Sequence, residues 1–209
     1  MNLLQRRREI MKGEDLRAMV IVRNSFIPIN DLVPNDDEWV FEGCFNQIKR
    51  LRDYYTPIFG APSKSAAQLP TNAWCLRQRY SSNVKMQCYC NSTNHIEIPA
   101  LPVDSVFHTF KMDKNGIIID GTAYSFANRV QGDTLTARFS FGDDGGGQLI
   151  HGWKFFKAYH NGVLLFDLIP KEDATGKLGF YNKLTGTYYY SGANKYQPIW
   201  YDEYLQQNT

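Results

Sequence analysis

Apolar residues along this chain fall either on every second position or in short unbroken runs, and turn residues interrupt them every few positions. Val106-Phe107-His108-Thr109-Phe110-Lys111-Met112 alternates in strand fashion, and Trp153 to Tyr159 and Val163 to Ile169 are runs rich in aromatic and aliphatic side chains. Asn161-Gly162 lies between the last two, and Asn and Gly supply the positive φ angles of a tight hairpin turn. Pro170 is expected to end the second strand because it cannot donate to a ladder. Beyond it, Thr175-Gly176, Leu184-Thr185-Gly186 and Ser191-Gly192 punctuate three short runs, which predicts a closing meander.

The same reading applies upstream. Met19 to Val22 and Phe26 to Ile29 open the β region, and Asn30 to Glu38, with Pro34 and four acidic side chains, is expected as a surface loop. Trp39 to Phe45 is predicted as a strand, whereas Ile48 to Tyr55 is compatible with strand or helical turn. Ala73 to Tyr80 pairs with Val84 to Cys90 through Ser81-Ser82-Asn83 as a hairpin. Asn115-Gly116 marks another, leading into Ile117 to Gly121, and Thr134 to Phe141 is a further strand. A dozen or so strands without interleaved helices predict an all-β fold, two antiparallel sheets packed face to face.

Helical spacing occurs once, at the start, where Leu3, Leu4, Ile10 and Met11 fall close to one face and Arg6 to Glu9 largely opposite. So short a helix needs something to pack against. The expected organisation is residues 1–18 as a helix or anchor, 19–200 as one β-sandwich domain, and 201–209 as a C-terminal tail.

Composition narrows the function classes. The 209 residues are 43% hydrophobic and 14% aromatic, as expected when aromatic rings fill the space between two sheets. The net charge of +2 comes from 23 basic and 21 acidic residues that are mostly interspersed, so no strong field points at nucleic acid. No apolar run reaches the ~18 residues of a membrane-spanning helix, and no secretory signal is read at the start, so the expected site of synthesis is a cytoplasm without membrane insertion.

Candidate chemistry is sparse. Glu38-Trp39-Val40-Phe41-Glu42 places two carboxylates on one strand face with Val40 between them. They would lie ~13 Å apart, beyond either glycosidase geometry. Gly-x-Ser-x-Gly is absent, and His95, His108, His151 and His160 have no neighbouring motif that would orient a triad. Cys88-Tyr89-Cys90 is too closely spaced for a zinc pair, so no metal is expected, and no cofactor. A Cys75 to Cys88 bridge across the predicted hairpin is conceivable. Asp143-Asp144 beside three glycines supplies too few oxygens for calcium and reads as a loop. An exposed aromatic platform with polar flanks is the mark of sugar binding, and Trp74, Tyr80, Tyr89 and Tyr188-Tyr189-Tyr190 are its candidates.

The order Glu38 to Glu42, Pro57-Ile58-Phe59-Gly60, His108 to Lys111 with Ile119-Asp120-Gly121, Phe139 to Gly142, Trp153 to Lys157, Asn161-Gly162, Phe166 to Pro170 and Gly179-Phe180-Tyr181-Asn182 resembles the concanavalin A-like or laminin-G-like jelly-roll domains of gut Bacteroidales and their phages. The resemblance covers residues 20 to 195, and Leu3 to Met11 resembles the start of phage proteins carrying this domain. It implies a jelly roll more firmly than an activity, since the superfold includes lectins, glycanases, adhesion modules and virion components. The leading expectation is a non-catalytic virion protein, such as a capsid decoration, head fibre or tail-associated adhesin. It would attach to other virion proteins, or form a homo-oligomer such as a trimer, through Leu3, Leu4, Ile10 and Met11. Its loops around Trp74, Tyr80, Asp143 and Asp144 would face a ligand such as a cell-surface glycan. The alternative is a bacterial carbohydrate-binding module; a glycanase ranks third.

Overall fold

The computed structural model describes residues 17–22, 25–34, 36, 38–50, 56–60, 74–79, 85–89, 95–102, 104, 106–126, 136–142, 149–192 and 197–208. In chain order the strands are β1 (Met19–Ile21), β2 (Phe26–Pro34), β3 (Trp39–Arg50), β4 (Thr56–Gly60), β5 (Cys75–Arg79), β6 (Lys85–Tyr89), β7 (His95–Pro99), β8 (His108–Asp113), β9 (Gly116–Ile119), β10 (Thr122–Ser125), β11 (Thr136–Gly142), β12 (Leu149–His160), β13 (Val163–Glu172), β14 (Leu178–Asn182), β15 (Tyr188–Tyr189) and β16 (Ile199–Trp200). A helix, α1 (Tyr201–Asn208), follows.

All pairings are antiparallel, and the strands form the two sheets of a jelly-roll sandwich. The larger sheet runs β10-β9-β8-β3-β12-β13-β14-β15, with β1 on β12 and β16 on β1; the smaller runs β2-β11-β4-β5-β6-β7. The spine of the larger sheet is the long β3–β12 ladder, from Leu149 opposite Arg50 to His160 opposite Trp39. Trp39, Phe41, Phe45, Trp153 and Phe156 point inward from it and are fully buried. Phe59 and Phe141 meet them from the smaller sheet, and the Phe141 ring lies 5.0 Å from Trp153, 4.9 Å from Phe156 and 4.6 Å from Phe180, centroid to centroid. Such edge-on and tilted pairs pack the layer between the sheets while keeping ring quadrupoles favourably oriented.

Local turn chemistry accounts for much of the register. Asn161 and Gly162 adopt φ of 49° and 74°, the doubly positive turn expected between β12 and β13. Asp120 and Gly121, at 48° and 85°, make a second such turn between β9 and β10. At the β8–β9 turn the two linking residues are Lys114 and Asn115, and Gly116 already belongs to β9. A Cβ there would lie 2.0 Å from the Tyr124 carbonyl oxygen, so glycine is required by close approach of β10.

Several expectations change. β2 continues through Pro34 into what reads as loop. β13 passes through Pro170 to Glu172, because its pairing with β12 ends at Leu168 and only β14 accompanies it afterwards, opposing Pro170 with Phe180. A proline is tolerated where one flank carries no ladder. The closing run is no simple meander, since β16 leaves β15 and pairs with β1, Met19 opposite Trp200. The described helix is C-terminal: residues 201–208, expected as a tail, form α1, which packs Tyr204 against Val20 and Ile150 in a small second core. The predicted N-terminal helix, with Leu3, Leu4, Ile10 and Met11, lies outside the described residues.

The Cys75–Cys88 bridge is excluded by register. Cys75 opposes Tyr89 and Leu76 opposes Cys88, so the two thiols leave opposite faces of the sheet. Cys88 lies in the core with its Sγ 3.3 Å from Met112 Sδ, and Cys44, Cys75 and Cys88 all carry thiols outside any disulfide.

Candidate ligand-binding face of the larger sheet

The outer face of the larger sheet is built by the residues that alternate with its core. Glu42 on β3 opposes Lys111 on β8 and Lys157 on β12, and Lys157 in turn opposes Asp167 on β13. These four side chains form a row of alternating sign across four strands. Lys111 Nζ is 3.4 Å from Glu42, and Lys183 Nζ is 4.0 Å from Asp167. Tyr159 stands one step along the same face, and its hydroxyl titrates above the usual tyrosine range because of burial and then the charges of Glu42 and Asp167.

Toward β15 the row gives way to aromatic rings. Phe180 and Tyr189 oppose each other with buried side chains, so their neighbours Tyr181 and Tyr188, also opposed, emerge on the outer face. Tyr190 continues the row. The Tyr181 and Tyr188 rings are 4.8 Å apart between centroids, and Tyr188 and Tyr190 lie 5.8 Å apart and nearly parallel. Lys171 Nζ sits 4.2 Å from the Tyr181 centroid and Lys177 Nζ 4.3 Å from that of Tyr190, both within cation–π range.

The turn between β13 and β14 locks this cluster. Asp173 Oδ1 accepts from the Thr175 amide (2.7 Å), the Thr175 hydroxyl (2.6 Å) and the Lys177 amide (3.1 Å). Its Oδ2 accepts from the Tyr190 hydroxyl at 2.5 Å, and the Tyr188 hydroxyl donates to the Glu172 carbonyl at 3.2 Å. The Thr175 and Tyr190 hydroxyls hold the Asp173 carboxyl well below the usual carboxylate range, and the hydrogen bond to Asp173 pushes the Tyr190 phenol up to about 12. Both rings are thereby oriented by their hydroxyls. Behind the turn lies a cleft of about 230 Å³ whose lining includes Glu172, Lys177, Trp200 and Glu203. There the Trp200 indole N–H donates to Glu172 Oε1 at 2.5 Å, and Arg17 covers the Trp200 ring at 4.2 Å.

The expected ligand residues are distributed differently. Trp74 is 1% exposed, its ring set edge-on against Phe41 at 5.4 Å and its N–H donating to the Asp36 carbonyl, so it is core and offers no platform. Tyr80, Asp143 and Asp144 lie outside the described residues. Of the tyrosine run, Tyr188 and Tyr190 face outward and Tyr189 is buried. Tyr181, Lys171 and Lys177 join them unanticipated. The signal for Tyr181 was available in Gly179-Phe180-Tyr181-Asn182, where an inward Phe180 commits its neighbour to the other face.

The carboxylate pair expected too far apart for hydrolysis is also engaged elsewhere: Glu38 lies 3.1 Å from Lys114, and Glu42 faces Lys111. His108 contacts Asp120 at 2.6 Å, and His160 contacts both Asp36 oxygens at 3.0 and 2.9 Å. His151 is wholly buried. Among the described residues no group of three His, Cys, Asp or Glu side chains is placed to hold a metal ion.

No protein-family model matches the chain, and no curated protein matches it in sequence. Solved structures do match. One is a prokaryotic β-1,3-1,4-glucanase (lichenase) from a mouse hindgut metagenome, 9% identical over 69% of this chain and 78% of that one, with a TM-score of 0.43. Another is a native glycosidic hydrolase, 11% identical over 72% and 80%, TM-score 0.43. A third is from botulinum neurotoxin type C, whose cell entry depends upon interaction with two ganglioside molecules; it is 9% identical over 84% of this chain and 59% of that one, TM-score 0.35. None of these three is a virion protein. The expectation that the chain is no enzyme is corrected here, because glucanase and glycoside hydrolase structures stand among its matches. At 9 to 11% identity the likeness reaches the fold and no further.

Proposed function

We propose that the protein binds carbohydrate on the outer face of its larger sheet. A single observation carries this reading: Tyr181, Tyr188 and Tyr190 form a contiguous row of half-buried rings on one sheet face, with Tyr188 and Tyr190 pinned by their hydroxyls to the Glu172–Lys177 turn. Aromatic rings fixed in advance offer apolar area to the C–H face of a sugar at little cost in side-chain entropy. The adjoining Lys111–Glu42–Lys157–Asp167 row supplies the donors and acceptors that sugar hydroxyls need. The polar row runs across the strands, and the tyrosine cluster lies beside its β13 end, with Tyr181 opposite Ile169 and Tyr188 opposite Tyr181.

The test is a glycan array followed by calorimetry on the best binder, with wild type, Tyr188→Ala and Asp167→Asn. Loss of about tenfold or more in affinity with Tyr188→Ala is expected, equivalent to ~1.4 kcal/mol. Unchanged binding in that variant, or no glycan bound by wild type, would overturn the assignment.

A further inference from the structure

We infer that the tyrosine strip selects acidic glycans, those bearing uronate carboxylates or sulfate esters, with Lys171 and Lys177 reading the anion on either side of a sugar ring seated at Tyr188. The inference rests on the carbohydrate-binding reading and adds the charge of the ligand.

The carboxylates around the strip keep their charge, but their oxygens are engaged away from its two lysine ammonium groups. Asp173 is committed through both oxygens, to Thr175, Lys177 and Tyr190. Glu172 takes the Trp200 N–H on one oxygen, within the cleft behind the turn. Asp167 is mostly buried, with 14% of its side chain exposed, and faces Lys183. By contrast Lys171 and Lys177 are exposed residues whose ammonium groups lie over tyrosine rings, and neither has a carboxylate within 4.0 Å among the described residues. A lysine ammonium over a ring at the surface gains little from it and keeps most of its hydration, so it stays free to take an anion. Each ammonium can then make a charge-assisted hydrogen bond to a carboxylate or sulfate oxygen, stronger than a neutral one.

The placement is specific. Tyr188 touches both other rings, Tyr181 across the β14–β15 ladder and Tyr190 two residues along the chain, and the two ammonium groups stand over Tyr181 and Tyr190. Tyr188 is thus the ring left uncapped by a lysine among the described residues. A sugar resting on the strip at Tyr188 would adjoin both lysine-capped rings.

The probes are an oligogalacturonate and its methyl-esterified form, which share one backbone and differ in charge, with a sulfated neutral-backbone oligosaccharide to separate sulfate from carboxylate recognition. Calorimetry on the full chain is expected to show at least tenfold tighter binding of an anionic probe than of the ester at low salt, with the difference shrinking as salt screens the lysines. The Lys171→Ala/Lys177→Ala double variant should abolish that preference while still binding the ester, and Lys→Arg at both positions should keep it. If the ester binds as tightly as the acid and the sulfated probe shows no advantage, or the double variant retains the preference, the acidic-glycan inference falls while carbohydrate binding stands. If wild type binds neither these probes nor any neutral glycan of the array, the parent reading fails and takes this one with it.

Discussion

The indole N–H of Trp153 donates to Nδ1 of His151 across 2.8 Å, in a core where neither residue is exposed. That bond requires an unprotonated Nδ1, so the imidazole is held as its neutral Nε2–H tautomer. Burial lowers the His151 pKa from 6.5 to about 3. The unfolded chain therefore binds a proton that the folded one refuses between these values, and stability is full above pH ~6.5 and declines as pH falls toward 3. Urea midpoints measured across this range should drop with acidity, by up to ~1.4 kcal/mol per pH unit from this residue. His151→Gln, which keeps an acceptor without a titrating group, should flatten that slope; an unchanged slope would remove His151 from the account.

Phe141 is expected to be the most sensitive ring of the smaller sheet, since it meets Trp153, Phe156 and Phe180 within 5.0 Å between centroids. Phe141→Ala should cost about 3–5 kcal/mol in chemical denaturation. A loss under about 1 kcal/mol would mean that this contact set does not bridge the sheets.

Gly43 tests packing in the opposite sense. A Cβ there would lie 2.6 Å from the Phe110 ring and 3.1 Å from Trp153. Gly43→Ala should destabilise by roughly 1–3 kcal/mol through overpacking, although alanine has the better propensity for ordered backbone.

Tyr190 should ionise later than an ordinary tyrosine, near 12, because its hydroxyl donates to Asp173 Oδ2. Ultraviolet titration of wild type against Tyr190→Phe isolates its transition. In Asp173→Asn it should return toward 10, and a transition unmoved by that change would contradict the 2.5 Å hydrogen bond.

Cys44, Cys75 and Cys88 should react slowly with thiol reagents in native protein and fast after denaturation, since burial pushes Cys44 up to about 11 and Cys75 up to about 12. Prior reduction should not increase the denatured count contributed by Cys75 and Cys88.

What could be read from the chain beforehand divides along the range of the interactions involved. Asn161-Gly162 announces its hairpin because the constraint is carried by those two backbones alone, and both observed φ values are positive. The two-sheet class follows from alternation, itself a local property. Trp74 resisted prediction because a ring's exposure depends on what opposes it, here Phe41 from another strand of the other sheet. Pro170 misled for a related reason: whether a proline breaks a strand depends on whether its unpaired flank was to be paired at all, and β12 had already ended its pairing at Leu168. The tyrosine strip was half legible. The run Tyr188 to Tyr190 was visible, but its partner Tyr181 and the lysines above it are assembled by the register of β14 with β15 and by the Asp173 turn.

The pairing of β1 with β16 has a mechanical consequence. Met19 opposes Trp200, and the chain continues from Trp200 directly into α1, so both flanks of the sandwich leave from one corner. A tensile load applied through those flanks would strip α1 and then open the Met19–Trp200 and Val20–Ile199 pairs one at a time, as a zipper. The long β3–β12 ladder would bear no force until those contacts had parted, and the strip of tyrosines would keep its shape under a pull that had already unfastened the edge.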